Sequence, residues 1–503
     1  MSILNRTTLT SSDKLDLLLN SVSCQPFGGI TLLSDEYGVS RKTVYQTRNA
    51  ALNALQTLTD DTPSPELITS VDVDVAQLRR TIVALACTAP NSIRAIEEQL
   101  PLIYPGCKVS YGYIQGVIIE AQKNAAKFNA GVPLSGIKNI ALDEMFSQGN
   151  PILAGIDLDS GYLCSLSIET TRSGDTWAKV LVQAESQGMS PDCVVKDGAT
   201  GMTKGVKGVF PDTQQRDDAF HALYITGKAV QKAERKAYRY IEKEAHAVKV
   251  LNNTPPSNVD EYNKAIKTVA HYEGQCELAI DGYEEAAKGL RHLHGALGSI
   301  CFVSGELMSP LMAIDRLKLA VVALKQADVP DGKSAARYIE NRLEGLTLAT
   351  RGLYEKLLKL KGRYSLIQIE LACRLTENRR RFDKCSTRQQ REVIQEIAYC
   401  YQQLKHHCAE RDVDELLETV GQLLSKRHRA SSAIEGFNAT LRSYTYVRKG
   451  VNQGFLELFQ AWYNLRERRW GKHKGTSAYE SLTGNSVSDW LSYLGFAPSS
   501  QHH

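Results

Sequence analysis

The stretch Ile137-Lys-Asn-Ile-Ala-Leu-Asp143-Glu144-Met-Phe146 decides the fold class, because the pattern of the chain changes here. Apolar and polar side chains roughly alternate along it, which predicts a β-strand. A second strand with the turn that follows it is predicted at 151–161, and further strands at 162–170 and 193–197, with a helix at 174–188 and a candidate fifth strand at 212–217. The order β-β-β-α-β predicts a mixed sheet in an α+β fold.

Helical patterns dominate on both sides of this segment. Residues 1–130 are predicted to be helical, and 219–426 contains no convincing strand. We therefore predict five regions: a helix-turn-helix domain at 1–60, a second helical domain at 72–130, the first part of the sheet domain at 136–221, an all-helical insertion at 222–430, and a C-terminal region at 431–503 that returns a helix to the sheet domain.

Residues 30–45 are typical of a helix-turn-helix. Gly38 suits the left-handed end of one helix, and Ser40 is placed to cap the next. In this motif the exposed face of the second helix enters the major groove of DNA. The residues predicted on that face are Arg41, Lys42, Thr43, Tyr45 and Arg48. A helical hairpin in an ordinary bundle is the alternative, and 72–130 is either a second DNA-binding unit or a packing or dimerisation module.

Positive charge is concentrated near the C-terminus, although the net charge of the 503 residues is only +4. Between Gly421 and Gly475 the bases far outnumber the acids, which favours a polyanion as partner. A solvated helix face would have the same composition. The bases are Lys426, Arg427, Arg429, Arg442, Arg448, Lys449, Arg466, Arg468, Arg469, Lys472 and Lys474. A second basic run, Arg379 to Arg381 with Lys384, Arg388 and Arg391, would also suit phosphates.

Several classes of protein are disfavoured by the sequence. No stretch of 18 apolar residues predicts a membrane-spanning helix, and the N-terminus lacks the pattern of a signal peptide. Eleven scattered cysteines without a CxxC pair suit a reducing compartment. The cysteines and histidines between Cys385 and Cys408 match no common zinc site. We expect a cytoplasmic protein, bacterial by default because no nuclear import run is evident.

Three acidic residues stand out by position. Asp143 lies near the end of the first strand, Asp197 ends the fourth, and Glu435 lies on a predicted helix. Adjacent first and fourth strands would bring the two aspartates together, and their repulsion would fall when a divalent cation binds between them. With Glu435 they would hold two Mg²⁺ or Mn²⁺ ions, the arrangement that catalyses in-line displacement at phosphorus.

Other acids compete for these roles. Strand alternation points Glu144 to the opposite face from Asp143, and Asp159 belongs to a turn-like Asp-Ser-Gly sequence. Asp197-Gly198 could itself be a tight turn. Asp217 rivals Asp218 as a functional acid, and the spacing of Asp218 to the following histidine favours Asp218.

Taken together, these pieces resemble the RNase H-like DDE transposases over about 137–475. The matching motifs are Leu142-Asp143-Glu144-Met-Phe146, Val195-Lys-Asp197-Gly-Ala-Thr-Gly201, Asp218-Ala-Phe-His221 and Ala433-Ile-Glu435-Gly-Phe-Asn438. The third motif resembles the (Cys/Asp)-x-x-His signature of the hAT and Mutator-like groups. Several bacterial insertion-sequence transposases carry a similar motif.

The resemblance implies an RNase H-like catalytic core in which three acids bind the metal ions. Supporting roles would fall to Asp218, to His221 (otherwise a structural histidine) and to Asn438, which shares a helical face with Glu435. The residues implied as catalytic metal ligands are Asp143, Asp197 and Glu435; those expected on DNA near the C-terminus are Arg442, Arg448 and Lys449.

The function implied is DNA transposition, in which metal-activated water cuts the ends of an element and the freed 3′-hydroxyl attacks target DNA. Residues 1–130 would bind the terminal inverted repeats, and a homodimer or larger assembly would bridge two double-stranded ends. Two alternatives stay open. One is an inactive, domesticated transposase that regulates as a sequence-specific DNA-binding protein, and the other is an RNase H-like nuclease without strand transfer.

Overall fold

The computed structural model describes residues 9–22, 29–59, 74–382, 385–427, 432–448, 450–471 and 473–499. The chain divides into two compact units, Met1–Val73 and Asp74–His503. The described part is mostly helical and contains a five-stranded mixed sheet, so the predicted α+β class is confirmed. Among the described residues, none of the helices is both long and apolar enough to cross a lipid bilayer.

The first unit holds helices α1 (Ser11–Val22), α2 (Gly29–Glu36) and α3 (Arg41–Thr59). Its small core is formed by Leu17, Leu33 and Val44. Gly38 turns the chain between α2 and α3 with φ of 62°, which glycine adopts without strain. Ser40 Oγ accepts the backbone N–H of Thr43 at 3.1 Å and caps α3. The helix, the turn and the cap lie where the sequence predicted them.

Three capped helices precede the sheet: α4 (Val75–Thr88), α5 (Ile93–Ile103) and α6 (Tyr111–Gly131). The side chains of Asp74, Ser92 and Ser110 each accept a backbone N–H from the first turn that follows. These caps explain why each helix begins at its observed residue.

The sheet has the strand order β3-β2-β1-β4-β5. Neighbours β1, β2 and β3 are antiparallel, whereas β4 and β5 run parallel to β1. Helix α7 connects β3 to β4 and α8 connects β4 to β5. The bounds are β1 Asn139–Ser147, β2 Asn150–Asp157, β3 Leu163–Ile168, α7 Gly174–Ser186, β4 Cys193–Lys196, α8 Thr200–Val209 and β5 Gln214–Asp217. All five strands therefore match the predicted order.

A helical insertion follows β5. It begins with a long antiparallel pair, α9 and α10, against which α11 and α12 pack. The bounds are α9 Ala219–Asn253, α10 Val259–Ala296, α11 Pro310–Gln326, α12 Pro330–Glu340, α13 Leu343–Leu358, a 3-10 turn Lys359–Gly362, α14 Leu366–Phe382, α15 Thr387–His407 and α16 Glu410–Ser425. Helical periodicity in the sequence predicts one helix over 335–349, and this prediction is wrong because the chain breaks between α12 and α13.

The C-terminal region returns to the sheet through α17 (Ser432–Val447) and α18 (Gln453–Leu465), followed by α19 (Ala478–Thr483) and α20 (Trp490–Tyr493). One face of the sheet packs on α7 and α8 around the fully buried Trp177. The opposite face shares one hydrophobic core with α4 to α6, α17 and α18. Helices α4 to α6 are thus built into the same core as the sheet.

Candidate active site

Asp143 and Asp197 lie at the same level of adjacent parallel strands. Ala141 of β1 pairs with Val195 of β4, and each aspartate follows two residues later. Residues two apart share a face of a strand. Since Ala141 and Val195 face the core that contains α17, both aspartates lie on the side of α17, at the level of the carboxyl edge of β4. Asp143 lies in the middle of β1, which continues to Ser147, and not near the end of the strand as the sequence predicted.

Glu435 comes to this edge on the first turn of α17, which packs against β1 and β2. Asn438, one turn later, is only 2% exposed, and its Nδ2 donates to Asp143 Oδ2 at 2.5 Å. Residues three apart on a helix share a face, so this bond presents Glu435 to the two aspartates. The Oδ1 atom of Asn438 is buried without a hydrogen-bond partner in the described part of the chain.

The pKa of Asp143 reflects its burial and the charges of the neighbouring acids. The pKa of its carboxyl group is raised to about 6, chiefly by burial, and the charges of Glu435 and Asp197 act in the same direction. Hydrogen bonds from the Glu144 backbone N–H, at 2.8 Å, and from Asn438 act in the opposite direction. The three carboxyl groups therefore lie within electrostatic range of one another.

The carboxyl groups of the three acids do not lie close enough together to coordinate one cation. Within the described ranges, no group of three or more His, Cys, Asp and Glu side chains is close enough to hold a metal ion. Asp143 bonds to Asn438, and Asp197 Oδ1 accepts the backbone N–H of Ala199 at 2.9 Å. Separation is the expected state of like-charged carboxylates without a cation between them.

The chemistry of these groups nevertheless fits Mg²⁺ or Mn²⁺. Three carboxylates are hard oxygen ligands, which these cations prefer. The buried Oδ1 of Asn438 has no protein donor among the described residues, and a water on a cation at the edge of the sheet would supply one. The predicted set Asp143, Asp197 and Glu435 is thus chemically suited to the metal that the sequence suggested.

The competing acids near β1 have structural partners. The side chain of Glu144 is 4% exposed, accepts Trp177 Nε1–H at 3.0 Å and pairs with Arg172 at 2.8 Å, on the opposite face of the strand from Asp143. Asp159 accepts Asn139 Nδ2 at 2.9 Å beside the turn that follows β2. These contacts leave Asp143 as the acid of β1 that faces Asp197 and Glu435.

Asp218, for which the sequence predicted a supporting role, caps a helix. It is buried, and its Oδ1 caps α9 by accepting the backbone N–H of Phe220 at 2.8 Å. Asp217 is the acid that lies among charged groups, with its carboxylate 3.9 Å from Lys196 Nζ and 3.7 Å from Arg342 Nε. Asp217, which sequence reasoning ranked second, therefore contributes more to the electrostatics beside Asp197.

Two residues of the insertion reach the site, and sequence reasoning missed both. Tyr338 Oη donates to the backbone carbonyl of Asp197 at 3.0 Å, and Arg342 Nη2 donates to that of Gly198 at 3.3 Å. The ring of His221 lies 5.1 Å from that of Tyr338, which connects this predicted supporting residue to the same turn. Neither Tyr338 nor Arg342 belongs to a recognisable motif, so no sequence signal marked them.

The predicted basic residues separate into two groups. Arg442 is exposed seven residues after Glu435, on the same side of α17. The Arg448 guanidinium instead stacks at 4.1 Å on Phe455 and donates to backbone carbonyls, which assigns it a structural role rather than a DNA contact. Arg427, Arg466 and Arg468 are also engaged in contacts within the protein. Arg429, Lys449 and Lys472 lie outside the described residues.

In the first unit, Arg41, Lys42 and Tyr45 are exposed along α3, with Tyr45 50% exposed. Thr43 and Arg48 are half-buried. The fully buried Val44 sets this orientation, because it fixes which face of α3 turns towards the core. An accessible surface with two positive charges and an aromatic ring is therefore present on the predicted recognition helix.

Comparisons with known proteins add little to this geometry. No protein-family model matches the chain, and no curated protein matches it significantly. Among solved structures, a match is found to a Drosophila P element transposase strand transfer complex. The two are 11% identical, the match covers 82% of this chain and 97% of that chain, and the TM-score is 0.29. A TM-score this low carries no inference about fold or function.

Proposed function

We propose that the chain is a DNA transposase of the RNase H-like DDE class. It would cut the ends of a DNA element and join them to target DNA in metal-dependent reactions. The observation that carries this proposal is the placement of three acids: Asp143 and Asp197 side by side on parallel strands, with Glu435 facing them from α17. The two aspartates stand next to each other because β1 and β4 are neighbours in the sheet.

The strand order supports the RNase H-like interpretation of the fold. An RNase H-like sheet places its first and fourth strands side by side, as β1 and β4 lie here, and the third acid arrives from a helix. The helical segment between β5 and α17 then corresponds to the predicted insertion.

Asp143, Asp197 and Glu435 would hold the divalent cations. When bound, two such ions activate the attacking oxygen and stabilise the leaving oxygen at phosphorus. Asn438 orients Asp143 through its 2.5 Å bond, and Arg442 is placed on the same side of α17 to meet a phosphate. The exposed face of α3 would recognise the ends of the element.

Two other functions would use the same structure. A nuclease of this fold would cut without joining, and a domesticated transposase would bind DNA without cutting. The presence of all three acids favours an active enzyme. The helix-turn-helix favours recognition of a specific end over recognition of a branched DNA shape.

A cleavage assay tests the proposal. The substrate is double-stranded DNA that carries the flanks of the protein's own gene, with Mg²⁺ or Mn²⁺ present. We compare the wild type with Glu435→Gln and with Glu467→Gln, an exposed matched control. We expect metal-dependent nicking at the element ends by the wild type and the control, and loss of nicking with retained DNA binding in Glu435→Gln. Cleavage that survives Glu435→Gln excludes Glu435 as the third acid, and binding without cleavage by the wild type supports the regulator.

A further inference from the structure

We propose that Tyr338 and Arg342, both in the helical insertion, are positioning residues that hold the turn at Asp197 in place for metal binding. This inference rests on the proposed function, because it takes Asp197 as a metal ligand. It gives the insertion a direct role at the catalytic edge of the sheet, in addition to any contact with DNA.

The two residues bond to consecutive backbone carbonyls of this turn. Tyr338 Oη donates to the Asp197 carbonyl at 3.0 Å, and Arg342 Nη2 donates to the Gly198 carbonyl at 3.3 Å. Strand β4 ends at Lys196, so both carbonyls have left the hydrogen-bond ladder of the sheet. The insertion thus supplies hydrogen bonds that the neighbouring strands no longer provide.

The guanidinium group of Arg342 contacts both Tyr338 and Asp217. Its guanidinium lies 4.1 Å from the centre of the Tyr338 ring, and its Nη1 donates to the Tyr338 carbonyl at 3.4 Å. Its Nε lies 3.7 Å from Asp217, which in turn pairs with the buried Lys196 at 3.9 Å. A planar guanidinium fixed in this way presents its remaining donors in a set direction.

The turn is shaped to receive Arg342. Gly198 has φ of 83°, a conformation that residues with a side chain rarely adopt. A Cβ at this position would collide with the Arg342 guanidinium. The absence of a side chain therefore allows the arginine to reach the backbone next to Asp197.

These contacts make the position of Asp197 depend on how the insertion packs. A ligand that is already in place does not have to be ordered when the cation binds, so less conformational entropy is lost. Loss of the partners that orient a metal ligand typically weakens metal affinity by about 10- to 100-fold. We expect Tyr338 and Arg342 to act at the lower end of this range, because they hold the backbone rather than the carboxylate.

Mn²⁺ binding to the full-length protein without DNA tests the inference. Unbound Mn²⁺ is measured by electron paramagnetic resonance during a titration, so the readout does not depend on catalysis. Tyr338→Phe removes only the hydroxyl group and keeps the ring, and Arg342→Gln removes the charged fork. Arg337→Gln is the matched control, because Arg337 is exposed on the same helix beside Tyr338. Asp197→Asn reports on the metal site itself.

We expect Tyr338→Phe and Arg342→Gln each to raise the Kd for Mn²⁺ about 10-fold, with the thermal unfolding of Tyr338→Phe unchanged and Arg337→Gln like the wild type. If Asp197→Asn loses binding while Tyr338→Phe keeps the wild-type Kd, this inference is overturned and the metal site stands. If Asp197→Asn binds Mn²⁺ like the wild type, the proposed metal site fails and the inference fails with it. Should Arg342→Gln not fold, Tyr338→Phe decides alone.

Discussion

At the scale of single residues, burial, repulsion by other carboxylates and hydrogen bonding all act on the carboxyl group of Asp143. It lies against the hydrophobic core, it feels the charges of Asp197 and Glu435, and Asn438 donates to it. Such a carboxyl group is costly to ionise in a folded protein without a cation. The fold therefore keeps an unfavourable charge at this edge of the sheet, which is common at functional sites.

The first prediction concerns this charge. In the metal-free protein, Asp143→Asn should raise the free energy of unfolding at pH 8 by roughly 1–3 kcal/mol. The pKa of Asp143 is about 6 in the folded chain and 3.8 when unperturbed, so the folded state holds the proton more tightly. The cost of ionisation is absent below about pH 4, grows between pH 4 and 6, and is complete above. Urea unfolding with a chelator measures it at pH 8 and at low pH. Equal stabilities at pH 8 would contradict the prediction.

A second prediction distinguishes the roles of two arginines: Arg442, on α17, and Arg448, which directly follows that helix. Arg448→Ala should lower the free energy of unfolding by roughly 2–3 kcal/mol, because the stacking on Phe455 and the bonds to the Ala86 and Asn91 carbonyls are lost. Arg442→Ala should leave stability unchanged and weaken DNA binding. Chemical unfolding and fluorescence anisotropy with labelled DNA measure the two effects. Weaker DNA binding by Arg448→Ala at unchanged stability would reverse our assignment.

Local sequence patterns identify some residues of the site and not others, for physical reasons. Asp143 and Asp197 are predictable because one lies in an apolar strand and the other directly follows one, which is a local pattern. Tyr338 and Arg342 were missed because their contacts cross from the insertion to the sheet, and no local spacing marks such a contact. Arg448 was read as a DNA contact because composition gives the charge of a side chain and not the groups that surround it.

At the scale of elements, the helix-turn-helix is specified almost entirely by local signals. The turn at Gly38 and the cap at Ser40 follow from backbone and hydrogen-bond preferences. The insertion was harder, because its apolar periodicity runs through the break at Asn341 and Arg342, where the chain turns from α12 into α13. Helices α15 and α16 lie within the region predicted to be helical, but their bounds were not predicted individually, since polar residues dominate both of them.

The third prediction belongs to α3. Lys42→Ala should weaken binding to DNA and reduce the slope of log affinity against log salt by about 1, since one phosphate contact is lost. Lys14→Ala is the matched control, because Lys14 is an equally charged, exposed residue on α1 of the same unit. Affinity titrations at several salt concentrations give both slopes. A control that changes the slope as much as Lys42→Ala would refute recognition by α3.

The fourth prediction concerns the ion pair between Arg80 on α4 and Asp489 in the C-terminal segment. Arg80 pairs with Asp489 at 2.8 and 3.1 Å. Burial alone raises the pKa of Asp489, but bonds from Arg80 and Ser492 outweigh it and hold the pKa below the usual 3.8. This pair therefore stabilises the fold above pH 4, and its contribution is lost as the pH falls below the lowered pKa.

Asp489→Asn should accordingly lower the free energy of unfolding at pH 7 by about 1–2 kcal/mol, with a smaller effect as the pH falls below 4. Urea unfolding of the wild type and the variant at several pH values measures the difference. An effect that is the same at pH 7 and well below the lowered pKa, at pH 2, would show that the charge of Asp489 is not responsible.

At the scale of the whole molecule, the chain joins a small helical unit, Met1–Val73, to a larger unit that carries the three acids. A transposase must bring two element ends to its catalytic sites, so we propose that two or more chains assemble on DNA. Light scattering of the protein with DNA ends should give a complex with at least two chains. A complex of one chain with one end that still joins DNA would contradict this proposal.

The central claim is that Asp143, Asp197 and Glu435 form one site that joins DNA strands, and strand transfer tests it most directly. Pre-cut element ends with a free 3′-hydroxyl are incubated with target DNA, Mg²⁺ and the wild type or Asp143→Asn, Asp197→Asn or Glu435→Gln. We predict joined products for the wild type and none for any of the three variants, with DNA binding retained. Cutting without joined products would make the protein a nuclease, and joining by any one variant would remove that acid from the site.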